Sequence, residues 1–90
     1  MTPELKTRCI DNIRGYAAVA NLMGHERKCK QPKTVEMFSI DDHDDLWGCS
    51  DNCLYRRDEG QVYRYPFDHD AFMALHILTR NKLPEEPPHD

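Results

Sequence analysis

Nowhere in the chain do apolar residues run to the roughly 20 in succession that a membrane-spanning helix needs, so no span is expected. Missing too are a glycine-rich phosphate cradle, the spaced Asp-x-Asp-x-Asp-Gly pattern of a calcium loop, and any nucleophile, base and orienting group whose geometry can be argued. These gaps speak against catalysis, and the chain is read as a non-enzyme. Its first residues, "MTPELKTRC", show neither the basic-then-apolar order of a secretory signal nor the Arg-rich, acid-poor pattern of a transit peptide, which gives an expectation of a cytoplasmic protein. Cations are in the minority: 12 Lys and Arg stand against 16 Asp and Glu, for a formal charge of −4. Duplex DNA is held by clustered cations, so nucleic acid is the less favoured partner.

Ninety residues, 39% hydrophobic and 31% charged, fit one soluble globular domain. A chain of this size buries only about 60 to 65 per cent of its unfolded surface, which leaves a thin hydrophobic margin. The charges segregate along it. "HERKCKQPK" (25–33) is basic, whereas "DDHDD" (41–45) and the closing "EEPPHD" are acidic.

"TPEL" at 2–5 joins an N-cap threonine to proline at the first helical position and an acid in the first turn. Leu5, Cys9, Ile13, Tyr16, Ala20 and Met23 then recur every three or four residues, and Gly24 supplies a stop, which predicts a helix over 3–23. Gly15 inside it weakens the helix by roughly 0.5–1 kcal/mol unless a neighbour packs closely there. "TVEMFSI" (34–40) is β-branched and aromatic between turn residues, as a strand would be. "CLYRR", "DEG" and "QVYRYPF" form two alternating segments about a three-residue connection, the pattern of a bulged hairpin. Asp68 or Asp70 can cap a second, strongly apolar helix with Phe72, Leu75 and Leu78 on one stripe, ended by Asn81 and Pro84.

The expected order is α-β-β-β-α: a two-layer α+β domain over residues 1–83 with a three-stranded, mostly antiparallel sheet packed under two helices. Residues 84–90 read as a disordered acidic, Pro-rich tail. Met73 and Ile77 make the second helix apolar almost all round. Either the rest of the domain wraps it, or it forms a homodimer or partner surface, so both monomer and homodimer stand open.

Four cysteines in a cytoplasmic chain argue against a disulfide framework. Cys9 lies on the apolar stripe of the first helix and reads as core packing. His25 with Cys29, and Cys49 with Cys53, form H-x3-C and C-x3-C pairs that can supply four ligands to one structural zinc. A metal would offset a small core. Against it, compact zinc turns usually space cysteines by two residues, and reduced structural thiols are the reading preferred here. An antiparallel pairing of the first two expected strands would also put Cys53 about 20 Å, one strand length, from Thr34, so the basic loop has to fold back to join the pairs. Arg27, Lys28 and Lys30 around Cys29 are of the kind that lowers a thiol pKa.

Tyr55, Arg56, Arg57, Tyr63, Arg64 and Tyr65 interleave aromatic and cationic side chains, as single-strand nucleic-acid surfaces do. Strand alternation splits the set into faces, and the aromatics are expected against the core with the arginines in water. His43 in the acidic loop reads as an exposed histidine.

The leading expectation is a small acidic protein-interaction module, a regulator or inhibitor that occupies a surface of a larger, nucleic-acid-processing protein, in the manner of viral or phage accessory proteins. Asp41, Asp42, Asp44, Asp45, Trp47, Tyr55 and Arg57 are the candidate partner-binding residues. The alternative is a zinc-stabilised nucleic-acid-binding module whose basic loop, 25–33, contacts phosphate.

Overall fold

The structure, a computed structural model, describes residues 2–80. The expected helix stop at Asn81 and Pro84, the domain limit at 83 and the tail over 84–90 lie outside the described residues. Within them are two helices, α1 (Pro3–Leu22) and α2 (His69–Thr79), and four strands, β1 (Arg27–Cys29), β2 (Leu46–Cys49), β3 (Cys53–Asp58) and β4 (Gln61–Pro66). The sheet is antiparallel throughout, in the order β1-β4-β3-β2. The architecture is α+β, with one strand more than the sequence pattern suggested.

Local chemistry explains the helix ends. Thr2 Oγ1 accepts from the Leu5 amide, and Asp68 Oδ2 accepts from the Ala71 amide, so each side chain satisfies an otherwise orphaned donor of the first turn. At the other end of α1, Gly24 takes φ 77°, the His25 amide donates to Ala20 O and the Gly24 amide to Asn21 O. That pair of bonds is a Schellman stop, and the left-handed residue it requires is cheap only for glycine.

Both helices lie on one face of the sheet. Cys9, Ile13, Ala17 and Ala20 of α1 and Ala71, Ala74 and Leu75 of α2 form one core with Ile40, Trp47, Leu54 and Tyr65. Cys9 is buried there as expected. The stripe of α1 is longer than the core it serves, so Leu5 at one end and Met23 at the other reach solvent.

The segment 34–40 corrects the strand assignment. Its apolar alternation is real, but Val35 and Met37 use it to lie across the sheet's other face, where Val35 joins Tyr55, Val62, Cys29 and Cys53 in a second small cluster. Only Phe38 pairs, through reciprocal backbone bonds with Trp47 of 2.7 and 2.8 Å. Gly48 makes this crossing possible. A β-carbon there would lie 2.8 Å from Met37 Sδ and 2.9 Å from Val35 Cγ1, and closer still to the Glu36 carbonyl oxygen. The strands that do form on the two edges, "RKC" and "LWGC", are short and carry no alternation to announce them. The hairpin turn also differs: Asp58 pairs with Gln61, so the connection is the two residues Glu59 and Gly60, with φ 51° and 80°. Positive φ at both positions makes it a type I′ turn, whose twist matches the flanking strands.

Candidate functional site

The acidic loop is built around two arginines. Arg14 on α1 forks onto Asp41 (Nε and Nη2, both 2.8 Å) and onto Asp45 (Nη1 2.8 Å, Nη2 2.7 Å). Arg56 on β3 donates from Nε to Asp45 (2.9 Å) and from Nη2 to Asp58 (3.2 Å). Both guanidiniums lie over the Trp47 ring, at 5.5 and 5.7 Å from its centre, so the pair of cations is packed between carboxylates and an aromatic face. Arg14 holds the Asp41 carboxyl well below the usual carboxylate range, chiefly by hydrogen bonding. Burial pushes Asp45 upward, and the hydrogen bonds of Arg14 and Arg56 outweigh it and bring the group below its ordinary value. Nearby, the Tyr65 hydroxyl donates to Glu26 at 2.6 Å, and burial followed by that carboxylate keeps its proton on to well above the ordinary tyrosine range.

Of the seven residues expected to meet a partner, this arrangement leaves three on the surface: Asp42, Asp44 and Arg57. Asp45 is 3% exposed and Trp47 1%, Tyr55 is buried on the far face under Val35, and Asp41 is tied to Arg14. Trp47, Tyr55 and Asp45 are thus interior groups, which corrects their assignment to a contact surface. The reason is the sheet's two covered faces: helices close over Trp47 on one side and the 34–38 segment over Tyr55 on the other. Tyr65 and the half-buried Tyr63 face the helices while Arg64 faces solvent, as alternation predicted. Arg56 departs from that pattern, because Asp45 draws it inward.

The four expected zinc ligands are separated. Cys29 and Cys53 share the far-face cluster, His25 and Cys53 line one cleft, and Cys49 packs on the opposite face against the helix core. No group of three or more His, Cys, Asp or Glu among the described residues is placed to hold a metal ion. All four cysteines are free thiols. Burial raises the Cys29 thiol above its ordinary pKa, with Arg64 pulling the other way, so the basic surroundings do not produce the lowered value that the sequence suggested. Cys49 is likewise raised by burial.

Among the described residues the most exposed large apolar side chains lie around the C-terminal turn of α1, beside its last buried residue, Ala20. Leu22 is 86% exposed, Met23 65% and Val19 53%. Directly after them the chain turns at Gly24 into His25 and Arg27, which with Cys53, Arg64, Tyr65 and Pro66 line a cleft of about 340 Å³. Arg27 Nη1 donates to Gly24 O at 2.5 Å, fixing its guanidinium beside the helix end. Arg27 and Arg64 are direct cross-strand partners, and neither makes an ion pair with a carboxylate among the described residues. Sequence reading passed over this surface because Val19 and Leu22 sit off the apolar stripe, which was itself the available signal.

No protein-family model, no curated protein and no solved structure matches this chain. No helix among the described residues is long and apolar enough to cross a membrane.

Proposed function

We propose that this chain is a non-enzymatic protein-interaction module that acts by occupying a surface of a larger protein, as a regulator or inhibitor. The observation that carries the reading is the exposed end of α1: Val19, Leu22 and Met23 lie within one and a half helical turns and present large apolar side chains to water. Such residues clustered together cost solubility and bring nothing to the core, whereas a partner that covers them recovers their hydrophobic free energy. The Arg14 and Arg56 clamp supports the same reading. It holds the acidic loop in one conformation with Asp42 and Asp44 outward, so that little ordering entropy is lost when the loop meets a partner.

The test is affinity capture from the source cells with the wild-type chain and with Leu22→Glu/Met23→Glu, both checked for an unchanged fold by circular dichroism and urea unfolding. A partner retained stoichiometrically by the wild type and lost by the variant supports the reading. A partner held equally by both, or turnover of a substrate by the isolated chain, refutes it.

A further inference from the structure

The apolar helix end leads directly into the basic cleft. Met23, Gly24 and His25 are consecutive, and the Arg27 guanidinium is hydrogen-bonded to the Gly24 carbonyl. Like charges directly opposite one another on neighbouring strands repel, and Arg27 and Arg64 occupy such a position. On the helix-covered face Arg14 and Arg56 receive carboxylates from Asp41, Asp45 and Asp58. Here no acid among the described residues pairs with either arginine. Glu26, the nearest acid in sequence, accepts from Tyr65 instead. The result is a strip with two uncompensated cations beside three exposed apolar side chains, on a molecule that is acidic as a whole.

Resting on the interaction reading above, we propose that this strip docks an acidic, apolar segment of a partner protein, with a Glu or Asp carboxylate of that segment against Arg27 and Arg64 and its apolar side chains on Leu22 and Met23. The bonds available suit this occupant. Among the described residues Arg64 uses none of its donors, and Arg27 uses only Nη1, for Gly24 O and Glu26 O (2.9 Å). Two guanidiniums on adjacent strands therefore offer free forks to a carboxylate, the group whose geometry they match. The neighbouring apolar residues favour a peptide over a nucleic-acid strand, because a phosphate backbone has nothing to set against Leu22 and Met23.

The probe is a short fluorescein-labelled peptide of alternating leucine and glutamate, read by anisotropy, beside a glutamate-only peptide and a single-stranded oligonucleotide of equal charge. The expected result is preferential binding of the leucine-glutamate peptide. Arg64→Glu should weaken it by about tenfold or more, and Arg27→Glu/Arg64→Glu should confer binding of a leucine-lysine peptide, a gain that damage to the fold would not produce. Leu22→Ser/Met23→Ser should weaken the original peptide to a similar degree. Oligonucleotide binding as tight as that of the peptide and indifferent to Leu22→Ser/Met23→Ser would overturn the proposal in favour of a phosphate surface. Concentration-dependent dimerisation in sedimentation, abolished by the same variants, would overturn it in favour of a second copy of the chain. Failure of every probe also overturns it. If a captured partner is lost by Leu22→Glu/Met23→Glu but kept by Arg64→Glu, the acidic occupant is wrong while the interaction module stands.

Discussion

Replacing Asp45 removes the anion that two arginines share. Asp45 is 3% exposed and accepts from Arg14 Nη1 and Nη2 and from Arg56 Nε, at 2.8, 2.7 and 2.9 Å. In Asp45→Ala both guanidiniums stay over Trp47 with no common counter-charge, or swing out and uncover the ring. Removing one partner of a fully buried ion pair costs about 3–5 kcal/mol. The arginine side chains here are 26% and 29% exposed, so water relieves part of that cost and the expected loss is nearer 2–3 kcal/mol. For a domain of this length that is a large share of a total stability of about 5–13 kcal/mol, and it corresponds to a fall in Tm of roughly 10–20 °C. Asp45→Asn keeps one acceptor and should lose about half as much. Urea unfolding followed by fluorescence measures this directly, since Trp47 is the only tryptophan and lies under both arginines. The pH dependence has a definite sign. Asp41 and Asp45 have folded-state pKa values below their unfolded ones, so the unfolded chain binds more protons in the acid range and stability rises with pH there. Their contribution is complete above the ordinary carboxylate pKa of about 4 and fades as pH falls through the lower folded-state values. The gap between wild type and Asp45→Asn should therefore be constant from neutrality to about pH 5 and narrow below about pH 4. An Asp45→Ala protein within about 0.5 kcal/mol of the wild type at neutral pH would refute this account of the clamp.

Glycine positions should respond with opposite signs. Gly48→Ala meets Val35, Met37 and the Glu36 backbone and should destabilise by about 1–3 kcal/mol, whereas Gly15→Ala, with nothing within 4 Å, should stabilise by about 0.5–1 kcal/mol, both read by chemical denaturation. At the hairpin, Glu59→Asn should raise the melting temperature, because asparagine tolerates the positive φ of 51° better than glutamate, and an unchanged or lower value would contradict the turn assignment. Thiol titration of the native protein with a disulfide reagent should be slow at Cys9, which is buried, and at Cys29 and Cys49, whose thiols burial raises in pKa, with all four reacting once the chain is unfolded.

Local signals settled the helices, the hairpin strands and the first core residues from the sequence alone. Thr2 could be read as a cap, and the second cap narrowed to Asp68 or Asp70, because N-cap chemistry is confined to one turn, and Cys9, Ile13 and Ala20 as core because helical periodicity places them on one stripe. The split of the hairpin into Tyr63 and Tyr65 against Arg64 followed from alternation in the same way. Whatever depended on partners distant in the chain was decided only by the tertiary structure. Val35 and Met37 alternate like a strand yet serve as a lid, because Gly48 leaves room above the sheet that no local pattern records. The four carboxylates of the acidic loop read alike as partner-binding candidates, but Arg14 and Arg56, 31 and 11 residues from Asp45, draw two of them inward and leave Asp42 and Asp44 to the solvent. The juxtaposition of Leu22 and Met23 with Arg27 and Arg64 arises only when β4 pairs with β1 beside the end of α1. Charge type and apolar period are properties of the residues themselves, whereas burial, counter-charge and surface neighbourhood belong to pairs that folding alone brings together.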